Sequence, residues 1–161
     1  MKVVLAQINP TVGDILGNYK KLIANIKKFS NKTDLIIFPE LSLCGYPPED
    51  LIMKKSFLTE IESYVKKIEK YCEDKKIAII FGAPIRENIN VYNAGIFLYK
   101  TNKILTFKNK LPNYGVFDEK RVFKSGKKYS FIKFKGFKIG LMICEDMWYS
   151  SLPKHLKKQG A

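Results

Sequence analysis

The order in which apolar runs and helical stripes follow one another constrains this chain more than any other feature. "KVVLAQIN" (2–9) reads as a buried strand. "NYKKLIANIKKF" follows, with Tyr19, Leu22, Ile23, Ile26 and Phe29 on one helical face. "DLIIFPE" predicts a second short strand, stopped by Pro39. A longer helix over about 55–74 carries Phe57, Leu58, Ile61, Tyr64, Val65, Ile68, Tyr71 and Cys72 at helical spacing. "IAIIFGAP" is a third strand, and there the pattern changes. "VYNAGIFLYKTNKILTFKNK" predicts a hairpin turning at Thr101 to Lys103, and "YSFIKFKGFKIGLMI" a second one turning at Gly136. The last strand of that hairpin runs from Phe137 to Ile143, and "SSLPKHLKKQGA" then starts a helix with Gly160 as its C-cap signal. Strand–helix alternation that gives way to hairpins implies an α/β fold, a mixed sheet with helices packed on one face.

Composition narrows the functional classes. The 161 residues fit one domain, and 46% apolar with 13% aromatic residues argues a packed globule. No apolar run reaches the roughly 20 residues of a membrane helix. "MKVVLAQINP" meets a polar residue and a proline too early for a secretory signal, so a cytoplasmic location is expected. The net charge of +14 comes almost wholly from lysine, Arg86 and Arg121 being the only arginines. Lysines spread along helices and strand edges read as a solvated coat. A nucleic-acid interface is the weaker reading, because "KKYSFIKFK" alternates as a strand with one wet face does. Cys44, Cys72 and Cys144 form no CxxC pair, and the single His155 lies in a lysine-rich tail, so no metal site is expected.

Three titratable residues stand where apolar runs stop. "IIFPE" ends at Glu40, "ILTFK" at Lys108 and "GLMIC" at Cys144. A residue at a strand's end projects into the crevice where open α/β sheets do their chemistry. A thiol of ordinary pKa is a poor nucleophile at neutral pH unless a base or a cation assists it. Glu40 can take its proton; Lys108 can stabilise first the thiolate and then an oxyanion, with a backbone N–H just past Cys144. Cys72 sits in a helical stripe and reads as core, and Cys44 as structural.

"FPELSLCGYPPEDL", "FKNKLPNYGVFDEKRVF" and "ICEDMW" resemble the signature blocks of the nitrilase, or carbon–nitrogen hydrolase, superfamily. Within it they most resemble the N-terminal glutaminase domain of glutamine-dependent NAD synthetases, over Lys2 to Ala161. The resemblance implies half of a nitrilase-type α-β-β-α sandwich and hydrolysis of glutamine through a cysteinyl thioester. It implies Cys144 as nucleophile, Glu40 as general base and Lys108, rather than Lys110, as the lysine. It implies that Tyr114, Glu119 and Glu145 line the glutamine pocket, and the two acids after Cys144, Glu145 and Asp146, are expected to shape its ammonium end, with Trp148 read as a wall. Glu119 paired with Arg121 at the surface is the plainer alternative.

By the same resemblance, residues 1–161 are the N-terminal part of the glutaminase domain. Its second half and the synthetase domain lie outside the chain. No cofactor is expected here. ATP and deamido-NAD(+) are implied only for the synthetase domain, since nothing resembles its "SGGxDS" phosphate loop. The implied partners are glutamine, the synthetase domain or a chain supplying the missing half, and further copies in a homo-oligomer of the complete protein. The chain alone is expected to be inactive, with the inner faces near Ile79, Phe97, Leu105 and Met142 meeting water and the strand before Cys144 an open edge. Two other functions compete: a stand-alone amidase or nitrilase on another small amide, and a non-catalytic interaction module.

Overall fold

A computed structural model describes residues 1–127 and 129–161; Lys128, within the alternating "KKYSFIKFK" run, lies outside the described residues. Strands β1 (Val3–Leu5), β2 (Leu35–Ile37), β3 (Ala78–Glu87), β4 (Asn90–Tyr99) and β5 (Asn102–Phe107) form one sheet in that order. The β1–β2 and β2–β3 pairs are parallel, whereas β3–β4 and β4–β5 are antiparallel. The change follows from the connections. Parallel neighbours need helical crossovers, and antiparallel ones need only tight turns. The crossovers are α1 (Ile15–Phe29), capped by the Asp14 carboxylate accepting from the Gly17 N–H at 2.8 Å, and α2 (Lys55–Cys72). Both helices cover the same face. Leu22 and Ile26 of α1 and Ile61, Val65 and Ile68 of α2 are buried against Ile36, Ile79, Phe81 and Ile96. Burying each such side chain contributes about 1.5–3 kcal/mol.

The other face is also covered, by a hairpin of β6 (Phe131–Phe134) and β7 (Phe137–Gly140). Its two-residue turn puts Lys135 and Gly136 at φ +47° and +79°, the left-handed pair that matches the twist of a tight hairpin. Ile132 and Phe134 pack on Leu35, Ala78, Ile80 and Phe97. Behind the hairpin lies α4 (Ser151–Lys158), so close that a Cβ on Gly140 would stand 3.0 Å from the Leu156 side chain. Helices, sheet, hairpin and helix thus stack in the α-β-β-α sense, around a mixed sheet with helices on its face.

Several expectations change in the structure. Ile79 and Phe97 do not meet water: one faces the helices and the other lies under the hairpin. β1 is shorter than the run 2–9 suggests, because β2 offers only three residues to pair with, and at this sheet edge Leu5 is 74% exposed. The predicted strand Phe137–Ile143 ends at Gly140, where the ladder with Phe131 ends. β3 continues past Pro84 to Glu87 and turns directly into β4 through Asn88 (φ +54°) and Ile89. The β4–β5 turn falls at Lys100–Thr101, earlier than predicted, with Lys100 at φ +53°.

Candidate active site

A strand end, a loop and a short helix bring a cation and two acids to one point. Lys108 follows β5 directly, and its backbone N–H donates to the Asn93 carbonyl at 2.9 Å. Its side chain is fully buried, and Nζ donates to Glu40 Oε1 and to Glu119 Oε1, each at 2.7 Å. The Tyr46 ring closes over it, with Nζ 5.9 Å from the centroid. Glu119 begins the short helix α3 (Glu119–Val122) and is 4% exposed. Arg121 is not its partner; that side chain pairs at the surface with Asp50 and Asp118. Burial pulls the Lys108 ammonium down, but Glu40 and Glu119 together outweigh it and hold its pKa above the usual lysine value. Burial also pushes the Glu119 carboxyl up, against the pull of Lys108.

Glu40 sits in the loop after β2, held by two features. The Asn93 side-chain amide on β4 donates to Glu40 Oε1 at 2.7 Å. Gly82 on β3 lies directly beneath: a Cβ there would fall 2.2 Å from the Leu41 nitrogen and 2.9 Å from the Glu40 carbonyl carbon. The Ser42 hydroxyl also accepts the Gly82 N–H at 3.2 Å. Leu41 adopts φ +46°, a conformation that costs a non-glycine residue about 1–3 kcal/mol.

Cys144 opens a one-turn 3-10 helix, Cys144–Trp148, and it too has φ +46°. It is exposed, and it shares a cavity of about 110 Å³ with Glu40, Asn93, Gly82 and Met142. Burial of its inner side and the Glu40 carboxylate push its thiol pKa up, while Lys108 pulls it down. Cys44 and Cys72 are buried, and desolvation raises each to about 12. Asp146, two residues on, has no exposed surface. Its Oδ1 accepts the N–H groups of Asn109 at 3.0 Å and Lys110 at 2.8 Å, and its Oδ2 that of Ile143 at 3.2 Å.

The remaining sequence candidates stand around this centre. Glu145 is buried and accepts the Tyr114 hydroxyl at 2.9 Å, which raises the phenol's pKa. It lines a second cavity of about 460 Å³ with Lys110 and Tyr149. Trp148 walls neither cavity and is 80% exposed. Of the positions that sequence reasoning passed over, Gly82 carried a signal, because a glycine inside a strand marks close backbone approach. Asn93 carried none. Asp146, which the sequence reading sets with Glu145 around the ammonium end of the pocket, instead turns inward onto the backbone N–H groups of Asn109, Lys110 and Ile143. Among the described residues no group of three or more His, Cys, Asp or Glu could hold a metal ion, and no helix is long and apolar enough to cross a membrane.

The carbon–nitrogen hydrolase family profile matches residues 2–161. The chain is similar to a glutamine-dependent NAD(+) synthetase of Thermotoga maritima, 42% identical over 151 residues that make up 92% of this chain and 26% of that protein. A glutamine-dependent NAD(+) synthetase of Aquifex aeolicus is 39% identical over 162 residues, covering 100% of this chain and 28% of its own. Among solved structures, the glutamine-dependent NAD+ synthetase from Acinetobacter baumannii in complex with ADP superposes with a TM-score of 0.90 at 35% identity, over 99% of this chain and 30% of that one. An amidase from Nesterenkonia sp. shares the fold at a TM-score of 0.89 and 20% identity, covering 100% of this chain and 62% of the amidase. The chain therefore spans under a third of the length of the synthetases it matches. A profile match from residue 2 to residue 161 on this fold leads to one assignment: the chain belongs to the carbon–nitrogen hydrolase family.

Proposed function

We propose that this chain carries the machinery for hydrolysing the side-chain amide of glutamine, and that the ammonia released serves NAD(+) synthesis from deamido-NAD(+). The supporting observation is the ion cluster: Lys108 Nζ is bonded to Glu40 and Glu119 at 2.7 Å each, beside a cavity that Glu40 shares with Cys144. In this reading Glu40 takes the thiol proton and the Cys144 sulfur attacks the amide carbon. Lys108 and the N–H after Cys144 stabilise the oxyanion, an effect typically worth 10² to 10³-fold in rate. The proton returns to the leaving nitrogen, ammonia departs and a thioester remains. Glu40 then deprotonates a water that attacks the thioester, releasing glutamate and restoring the thiol.

Glu119 fixes the charge and direction of Lys108 in this scheme. Glu145, oriented by the Tyr114 hydroxyl, presents a carboxylate to the substrate's ammonium group. The synthetase step, with its ATP and deamido-NAD(+), belongs to the further length that the relatives carry. The test is ammonia release from glutamine by this chain joined to that further length, in wild-type and Cys144→Ala forms. Loss of release in the variant is expected; release that survives Cys144→Ala overturns the reading.

A further inference from the structure

We propose that Asp146 is the positioning residue that sets the Cys144 thiol against Lys108 and Glu40. The inference rests on the reading of Cys144 as the nucleophile. The two sides of the cleft arrive on different scaffolds. Lys108 is tied into the five-stranded sheet through the Asn93 carbonyl. Cys144 follows a hairpin whose ladder stops at Gly140, and Leu141, Met142 and Ile143 continue with no strand pairing. Asp146 is the link between them. One of its oxygens takes the N–H groups of Asn109 and Lys110, the two residues after Lys108; the other takes the N–H of Ile143, the residue before Cys144.

The chemistry of the side chain suits the task. Holding two chain segments at once requires acceptors at both terminal atoms, and a carboxylate supplies them. Asparagine has one acceptor and one donor, so it must release one segment or set its amide against an N–H. The carboxylate has no exposed surface, so water cannot replace a lost bond without opening the turn. The charged and titratable groups facing Cys144 are Glu40 from the loop after β2, Lys108 from the end of β5, Glu119 from α3, and the Tyr46 and Tyr114 hydroxyls. A thiol that drifts from this set escapes the burial and the Glu40 carboxylate that raise its pKa, and loses Glu40 as proton acceptor and Lys108 as the partner of its thiolate.

The experiment is iodoacetamide alkylation of the whole chain, with Cys144, Cys44 and Cys72 quantified separately across roughly pH 6 to 10. For Asp146→Asn, the midpoint of Cys144 alkylation is expected to fall by about one pH unit, toward that of an ordinary thiol, while Cys44 and Cys72 stay protected. Lys110→Pro, which deletes a single donor and leaves the carboxylate in place, is expected to lower the midpoint in the same direction. An unchanged profile in either variant overturns the assignment, and a fall confined to Asp146→Asn is the result expected if Asp146 acted only as a nearby negative charge. If Asp146→Asn exposes Cys44 and Cys72, Lys110→Pro alone is judged by the same outcomes. A wild-type Cys144 no faster than Cys72 overturns the nucleophile reading and this proposal together.

Discussion

Lys108 is sealed in the core between two carboxylates, whereas Cys144, across the cleft, is exposed on a turn beyond the end of its hairpin. The acid–base side is built on a sheet whose outer face is packed under α1 and α2. The thiol side rests on four paired positions, on Ile132 and Phe134 packed against the sheet's other face, and on the Asp146 carboxylate that ties its turn to Asn109 and Lys110. The buried charges sit in the part of the fold packed by both helices, and the exposed thiol sits on the smaller two-stranded element, so the thiol side is expected to open first.

The largest effect expected from disturbing this contrast is on the buried side. Lys108→Met leaves Glu40 and Glu119 without their shared cation and should cost about 3–5 kcal/mol by urea denaturation at neutral pH. The loss should shrink in mild acid. Burial raises the folded-state pKa of Glu119, so its ionised form is disfavoured in the native state above that value, and the penalty is relieved as pH falls through it. A loss that grows on acidification would contradict this sign.

The next effect compares thiols. Cys44 and Cys72 are buried with pKa values near 12, so Cys144 should alkylate at least about 100-fold faster in the native chain. Paired core truncations then sharpen the comparison. Ile61→Ala, under the helices, should cost about 3–4 kcal/mol of global stability. Ile132→Ala should cost under about 2 kcal/mol, because the hairpin can open alone, and should change Cys144 alkylation while Cys72 stays protected. Equal costs would mean that the two faces form one cooperative unit. Least of all, Tyr114→Phe removes a hydrogen bond from a mostly exposed side chain and should shift stability by less than about 0.5 kcal/mol. Under the proposed function, its effect should instead be a raised KM for glutamine in the chain joined to the further length of its relatives.

Much of this was readable in one dimension because strand ends are local signals. Apolar runs stop at Glu40, Lys108 and Cys144, and two helical stripes mark the covered face. What the sequence hid is non-local. Period-two alternation says which face Asn93 takes, but not that it lies beside a residue 53 positions away. The β3–β4 turn was masked by Ile89, an apolar residue that is 95% exposed. The resemblance places Glu119 in the glutamine pocket, but no local signal in the sequence shows that it is a buried partner of Lys108. The short β7 was misread because an apolar run records burial, whereas a strand also requires a neighbour to pair with.

The sealed lysine has a practical consequence. The many lysines of the outer coat should be acetylated readily by amine-directed reagents, while Lys108, with no surface to offer and a charge pinned by two acids, should stay unlabelled until the molecule opens. A single peptide in a labelling map would then report whether the interior of the site is intact, without any substrate being added.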